Sequence, residues 1–381
     1  MKFHNTLERF FQEDMEVDLN HRYITNNHIE ILLKKLPNEF ETSTVGFSVN
    51  RLPIYSVKVG YGKLKILIWS QMHGNESTTT KALFDLFNSL ASNRINSILK
   101  KCTLYVIPIL NPDGADVYKR ENANGIDLNR DAQELSQPES QVLRELFDSI
   151  QPNYCFNLHG QRTIFSTGET NKPATLSFLS PAQDENCSIT KNRKIAMTII
   201  VKMINLLHNV IPNQIGIYND AFNLNCVGDT FQSLGVPTIL FEAGHYKNDY
   251  PREKVRKLMY MALLTALRFI ATKDIKGEEY NDYSNIPMNK KLFFDIIIRN
   301  ALLEKNGNPV DIAIQYDEIL NNKKIHFIPT IRSIGNLDKF FGHKEINVKS
   351  AMVVGENKQK LNNGYSNDCV WINDELFSLK L

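Results

Sequence analysis

The chain has 381 residues, with 44 Lys and Arg against 42 Asp and Glu, a formal charge of +2, 42% hydrophobic residues and 10% aromatic ones. That length and balance exclude a disordered, collagenous or disulfide-stapled chain, and allow one large domain with an appendage or two domains. Scattered Lys and Arg at near-zero net charge exclude nucleic acid as the main partner, which would demand a clustered cationic face.

The first twenty residues mix acids and bases without an apolar h-region, and no later run reaches about eighteen uninterrupted apolar residues. Five cysteines (Cys102, Cys155, Cys187, Cys226, Cys369) are odd in number and form no CxxC. The expectation is a cytoplasmic protein with reduced thiols and no membrane partner.

In chain order, residues 27–36 carry apolar positions at helical spacing, and 48–70 reads as two strands about a Gly-containing turn. Helices are then expected over 76–93, 138–150, 189–210 and 252–271, and strands over 63–70, 103–110, 153–158 and 237–241. Unbroken apolar strands between helices predict an α/β domain over residues 1–275, with a mainly parallel or mixed central sheet and helices on both faces. The polar run KGEEYNDYSN (276–285) then gives way to short Ile-, Phe- and Val-rich segments, which read as a smaller C-terminal β-rich module over 276–381. Within it, FFDIIIRNALLEK (293–305) fits a helix equally well by periodicity.

In an open α/β sheet, ligands bind beyond the carboxyl ends of the strands. The strand KILIWS runs into QMHGNES and delivers His73 and Glu76; TLYVIPIL runs into NPDG; NYCFNL delivers His159; PTILF delivers Glu242. The HxxE spacing lets an imidazole and a carboxylate converge on one ion across a helical turn. With His159 it makes three protein ligands and an open fourth position, the pattern of a catalytic rather than a structural zinc. His245, three residues after Glu242, is either a rival ligand or a loop histidine.

The ordered pieces HGNE (73–76), NPDG (111–114), KRENANGIDLNRD (119–131), NLHG (157–160), IYNDAF (217–222) and TILFEAG (238–244) resemble the zinc metallocarboxypeptidases of the carboxypeptidase A-like family, in a bacterial short-loop form. The resemblance spans roughly 30–272, and nothing comparable covers 280–381. It implies a metallopeptidase with one zinc ion per chain on His73, Glu76 and His159, and Glu242 as the general base toward water. It implies further that Asn129 and Arg130 grip the substrate's terminal carboxylate and that Arg120 polarises the scissile carbonyl. Tyr218 then closes over the bound chain end, and Asp127 orients the first zinc histidine. The implied partner is a peptide, or a small amide, with a free carboxylate.

Elementary chemistry agrees with those roles. A guanidinium supplies fixed charge to an oxyanion and reads a carboxylate bidentately, and an Asn amide adds a donor. Lys119 is the rival to Arg120 for the first task. Arg130 beside Asp131 also fits a surface ion pair, Tyr218 core packing, and Asp127 a turn cap. The sequence departs from the family in GQR after His159 and in FNLNCVGDTF (222–231), where Asp229 either favours a basic side chain or caps a helix. Two other activities share the scaffold: an amidohydrolase of peptidoglycan-derived peptides or of N-acyl amino acids. A different class is an inactive, metal-bound binding protein, although the complete His, Glu, His and Glu set speaks against it.

Overall fold

Successive apolar residues in LKILIW, CTLYVI and TILFEA suit strands covered on both faces, and these runs form the middle of an eight-stranded sheet. The computed structural model describes residues 3–92 and 94–381; Asn93, at the end of the helix expected over 76–93, lies outside the described residues, as do Met1 and Lys2. Two compact units divide the chain, Met1–Gln161 with Ala174–Asn289, and Arg162–Pro173 with Lys290–Leu381.

The strands of the first part of the chain are β1 (Phe40–Phe47), β2 (Pro53–Val59), β3 (Leu64–Trp69), β4 (Cys102–Ile107), β5 (Tyr154–Gly160), β6 (Phe165–Thr167, in the second unit), β7 (Leu176–Leu179), β8 (Ile215–Ile217) and β9 (Thr238–Ala243). The large sheet runs β1-β2-β4-β3-β5-β9-β7-β8. Its inner strands β4, β3, β5 and β9 are mutually parallel, β1, β2 and β7 join antiparallel, and β8 lies parallel to β7. The expected mixed α/β sheet is therefore present, with its parallel core intact.

Helices α1 (Phe3–Asp14), α2 (Asn26–Leu33), α3 (Thr78–Ala91), α4 (Asn96–Lys101), α5 (Pro112–Asp116), α6 (Pro138–Ile150), α7 (Lys191–Leu207), α8 (Val227–Ser233) and α9 (Glu253–Thr272) cover both faces. The strand period of two assigns the faces. Ile66 and Ile68 of β3 join one apolar layer with residues of α3, α7 and α9, while Leu67 and Trp69 join the other with residues of α6 and α8. Each such buried side chain contributes about 1.5–3 kcal/mol. A buried ion pair ties α9 to α3, with Arg256 Nε and Nη2 donating to the Asp85 carboxylate at 2.7 and 2.6 Å.

The second unit contains a four-stranded sheet formed by Phe293–Ala301, Val310–Asn321, Lys324–Gly335 and Phe341–Asn347. The segment 293–301 is thus a strand and not a helix, because its Ile-rich run pairs on both edges. The second unit takes in 162–173 and resumes at Lys290. The polar run stays with the first unit because Tyr283 is buried there and the Ser180 N–H donates to its hydroxyl at 3.1 Å. Among the described residues no helix is long and apolar enough to cross a membrane.

Candidate metal centre

The chain leaves β3 through Gln71, whose φ of 44° is left-handed. That conformation is held by its side chain, which donates to the Ile24 and Gly74 carbonyls at 3.0 and 2.8 Å and accepts from Thr80 Oγ1 at 2.7 Å. The Glu76 N–H then donates to the His73 carbonyl at 3.0 Å, so the HxxE pair sits on a turn just ahead of α3. Gly74 packs directly on the NPDG loop, where an added Cβ would stand 2.0 Å from the Gly114 carbonyl carbon. Asn111 braces the two loops, accepting from the Gly114 N–H at 2.8 Å and donating to the Met72 carbonyl at 3.2 Å. His159, on the last turn of β5, pairs in register with Glu242 on β9. Paired residues of neighbouring strands share a face, so both side chains leave the sheet on one side.

These elements bring three ligand atoms together. His73 Nδ1 lies 2.8 Å from Glu76 Oε1, His159 Nδ1 lies 3.0 Å from Glu76 Oε2, and the two Nδ1 atoms are 3.0 Å apart. Tetrahedral zinc with bonds near 2.0–2.1 Å sets its ligands roughly 3.3 Å apart, so the triangle needs only slight opening. The imidazole and carboxylate donors fit zinc in kind as well. His73 Nε2 meets Asp127 Oδ1 at 3.0 Å, so Nε2 donates to that carboxylate and Nδ1 faces the centre. Beside this group the buried Glu242 Oε2 makes no hydrogen bond.

The electrostatics favour a cation. Burial would lower His73, but the charge on Glu76 and the hydrogen bond that the ring donates to Asp127 outweigh it and raise the imidazole to about 9. Burial would raise Glu76, yet His73 and His159 hold its carboxyl far below the usual range. Asp127 is likewise held low against burial, by His73 and Arg120. Burial lowers His159, and burial together with the charge on Glu76 pushes Glu242 well up.

The other expected residues ring this centre in part. Arg120 Nε and Nη2 donate to Asp127 Oδ2 at 3.1 and 2.9 Å, and its Nη1 reaches His73 Nδ1 and Glu76 Oε1 at 3.1 and 3.4 Å. Lys119, the rival cation, is exposed. Asn129 donates its N–H to Asp127 Oδ1 at 2.9 Å and accepts from the Val227 N–H at 3.0 Å. Arg130 is exposed, with Nη1 on the Asn129 carbonyl at 2.7 Å and on Cys226 Sγ at 3.2 Å. The Tyr218 hydroxyl donates to Gln161 Oε1 at 2.6 Å. His245 lies outside the metal-ligand group, buried with its ring 4.7 Å from that of Tyr250. Asp229 sits in the first turn of α8, where burial raises its carboxyl to about 6 while it accepts the backbone N–H groups of Asn223 and Ala182. It laces loops together at a helix start. Sequence reasoning did not single out Gln161 or Cys226; the GQR departure after His159 was the available signal for the first.

A sequence model described as zinc carboxypeptidase matches residues 25–202, which includes His73, Glu76, His159, Arg120, Asp127, Asn129 and Arg130 but neither Tyr218 nor Glu242. A carboxypeptidase of Arabidopsis thaliana is 26% identical over 186 residues, covering 42% of this chain and 38% of the relative. Carboxypeptidase 2 of Trichophyton rubrum is 30% identical over 99 residues, covering 26% of this chain and 18% of that protein. The chain therefore spans well under half the length of these relatives. In fold it is similar to the metallo-carboxypeptidase of Burkholderia cenocepacia, with a TM-score of 0.53 and 19% identity over 66% of this chain and 70% of that one. The segment 25–202 thus matches the sequence model of the zinc carboxypeptidases, and the fold around it is similar to that of a metallo-carboxypeptidase.

Proposed function

We propose that this chain is a metallocarboxypeptidase that hydrolyses C-terminal peptide bonds, with one zinc ion per chain held by His73, Glu76 and His159. The observation that carries the reading is the convergence of two imidazole nitrogens and a carboxylate within 3.0 Å of one another, beside a buried and unengaged Glu242 oxygen. Zinc so held supplies a Lewis acid and brings the pKa of a water toward about 7. Glu242 takes a proton from the attacking water and returns it to the leaving amine, a role that its unengaged Oε2 beside the ligand group suits. Arg120, steadied by Asp127, meets the charge that develops on the scissile carbonyl oxygen. Asn129 spends its acceptor on the Val227 N–H, so its amide donors, with the Arg130 guanidinium, remain to bind a chain-end carboxylate. Tyr218 covers the bound end. The cytoplasmic setting is part of the same reading, supported by five free cysteines.

The test compares a peptide with a free C-terminus against its C-terminal amide, using the zinc-loaded chain. Arg130 is exposed rather than enclosed, so its contribution belongs near the lower end of charge-assisted pairs, about 2 kcal/mol, or roughly 30-fold in kcat/KM. The free acid should be preferred by about that factor, and Arg130→Ala should remove most of the preference. Equal cleavage of acid and amide by the parent refutes the chain-end reading. Faster turnover of short N-acyl amino acids than of longer peptides replaces it with an amidohydrolase.

A further inference from the structure

Gln161 follows His159 by two residues and is buried at 7% exposure. Both ends of its backbone are fixed. Its N–H donates to the Ala243 carbonyl at 3.0 Å, and its own carbonyl accepts from Arg252 Nη2 at 3.1 Å, while Arg252 Nη1 holds the Ala243 carbonyl at 3.0 Å. The side chain is fixed as firmly. Nε2 donates to the Ala174 carbonyl at 2.6 Å, and Oε1 accepts from the Tyr218 hydroxyl at 2.6 Å and from Asn289 Nδ2 at 3.4 Å. Asn289 Nδ2 also donates to Ser177 Oγ at 2.9 Å, and Ser177 pairs in register with Glu242.

The amide can be oriented only one way, because turning it over would set its oxygen against the Ala174 carbonyl, acceptor against acceptor. Glycine makes the space. A Cβ on Gly244 would stand 2.4 Å from Gln161 Nε2 and 2.1 Å from the Ala174 carbonyl oxygen, so the amide lies where no larger residue at 244 would admit it. At the far end of this chain of bonds, burial raises the Tyr218 phenol, the charges of Glu242 and Glu76 add to it, and a hydrogen bond with the Asn289 side chain opposes it.

We propose that Gln161 is a positioning residue that holds the Tyr218 hydroxyl at a preset place beside Glu242, so that the tyrosine is in position before substrate arrives. The inference rests on the carboxypeptidase reading for its catalytic consequence, but the placement of Tyr218 can be measured without activity. Gln161→Met keeps length and apolar bulk while removing the acceptor. In that variant, nitration of Tyr218 by tetranitromethane, followed by peptide mass mapping, should run at least about 5-fold faster than in the parent. With zinc and a free-acid peptide, Gln161→Met should lower kcat/KM by about 5- to 10-fold, the weight of one buried hydrogen bond. In a Tyr218→Phe background the same substitution should change it by less than about 2-fold, because the partner is already gone. Equal penalties in the two backgrounds, or unchanged nitration in Gln161→Met, overturn the proposal. If the parent cleaves no free-acid peptide, the carboxypeptidase reading fails, and the nitration rates still decide where Gln161 holds Tyr218.

Discussion

Asp127 joins three parts of the candidate site through one carboxylate, which makes it the sharpest place to perturb. Oδ1 accepts from His73 Nε2 at 3.0 Å and from the Asn129 N–H at 2.9 Å, and Oδ2 accepts from Arg120 Nε and Nη2 at 3.1 and 2.9 Å. In Asp127→Asn the remaining oxygen can still serve His73 and Asn129, but the new amide N–H groups face the Arg120 donors. In Asp127→Ala all four bonds go. Partners that orient a metal-binding histidine typically govern 10- to 100-fold in metal affinity, about 1.4–2.8 kcal/mol. The Asn variant, which keeps the bond to His73 without its charge, belongs near 10-fold and the Ala variant near 100-fold. Arg120 adds less, because its side chain is 41% exposed and that of Asp127 21%, so screening reduces the pair to about 1 kcal/mol. That leaves roughly a 5-fold loss in kcat/KM even at saturating zinc. Zinc competition against a chromophoric chelator gives the affinities, and steady-state kinetics at saturating zinc gives the remainder. A folded Asp127→Ala chain that binds zinc as tightly as the parent refutes the reasoning, since the carboxylate would then have no hold on His73.

Further outcomes follow from the geometry. Gly74→Ala should destabilise the chain by about 2–4 kcal/mol in urea unfolding, because its Cβ meets backbone 2.0 Å away; a loss under 0.5 kcal/mol would mean that the loops separate freely. Asp85→Ala strips the buried Arg256 of its two-point carboxylate, leaving Glu253 Oε2 and the Leu19 and Glu16 carbonyls, and should remove about 3 kcal/mol, most of it recovered in the double variant with Arg256→Met; an additive double loss contradicts this. Asp229 supplies a pH test. Its folded value of about 6 lies above the ordinary 3.8, so the folded state binds more protons between those values and stability from this group falls as pH rises through that window. The full gap corresponds to at most about 3 kcal/mol, of which residual solvent contact leaves on the order of 1. Asp229→Asn should therefore gain on the parent by about 1 kcal/mol more at pH 7.5 than at pH 4.5, and a pH-independent difference shows that burial does not act on this carboxyl.

The sheet's centre was legible because strands buried on both faces must be apolar throughout, as LKILIW and TILFEA are. Its edges were not. β1 is exposed over most of FETSTVGF and joins the sheet through backbone bonds, which leave no apolar signature. The strands β7 and β8 have only 4 and 3 residues, too short for a period to emerge. KGEEYNDYSN looks like a linker by composition, yet Tyr283 anchors it in the first unit's core, a contact that composition does not reveal. At the site, the ligands were legible because metal chemistry restricts them to few residue types. Gln161 was not, since a glutamine that works through another side chain has no spacing rule, and its pairing with Tyr218 joins residues 57 apart.

The ligand triangle is set by backbone rather than by long side chains alone. Glu76 Oε2 accepts from the Gly160 N–H at 2.8 Å, so the carboxylate that begins α3 is tied to the strand that carries His159. A Cβ at position 160 would meet that of Glu76 at 3.4 Å, an ordinary contact distance, so the two segments run close together. His73 is held from behind by Asp127, and Glu242 is held by its register with His159 and by the Arg252 fork on the next carbonyl. His73 and Glu76 thus each have a second fixed point outside the triangle, whereas His159 is held by its strand and its buried Nε2 makes no hydrogen bond. Binding energy then need not be spent on ordering the ligands, and the cost of assembling two histidines and two glutamates around one centre falls on folding the sheet. The same arrangement explains why the strand ends, and not the long polar loop that carries Arg120 and Arg130, supply the groups that must hold still. In the carboxypeptidase proposed above, the loop would supply those that meet a substrate of variable shape, and its arginines are the more exposed.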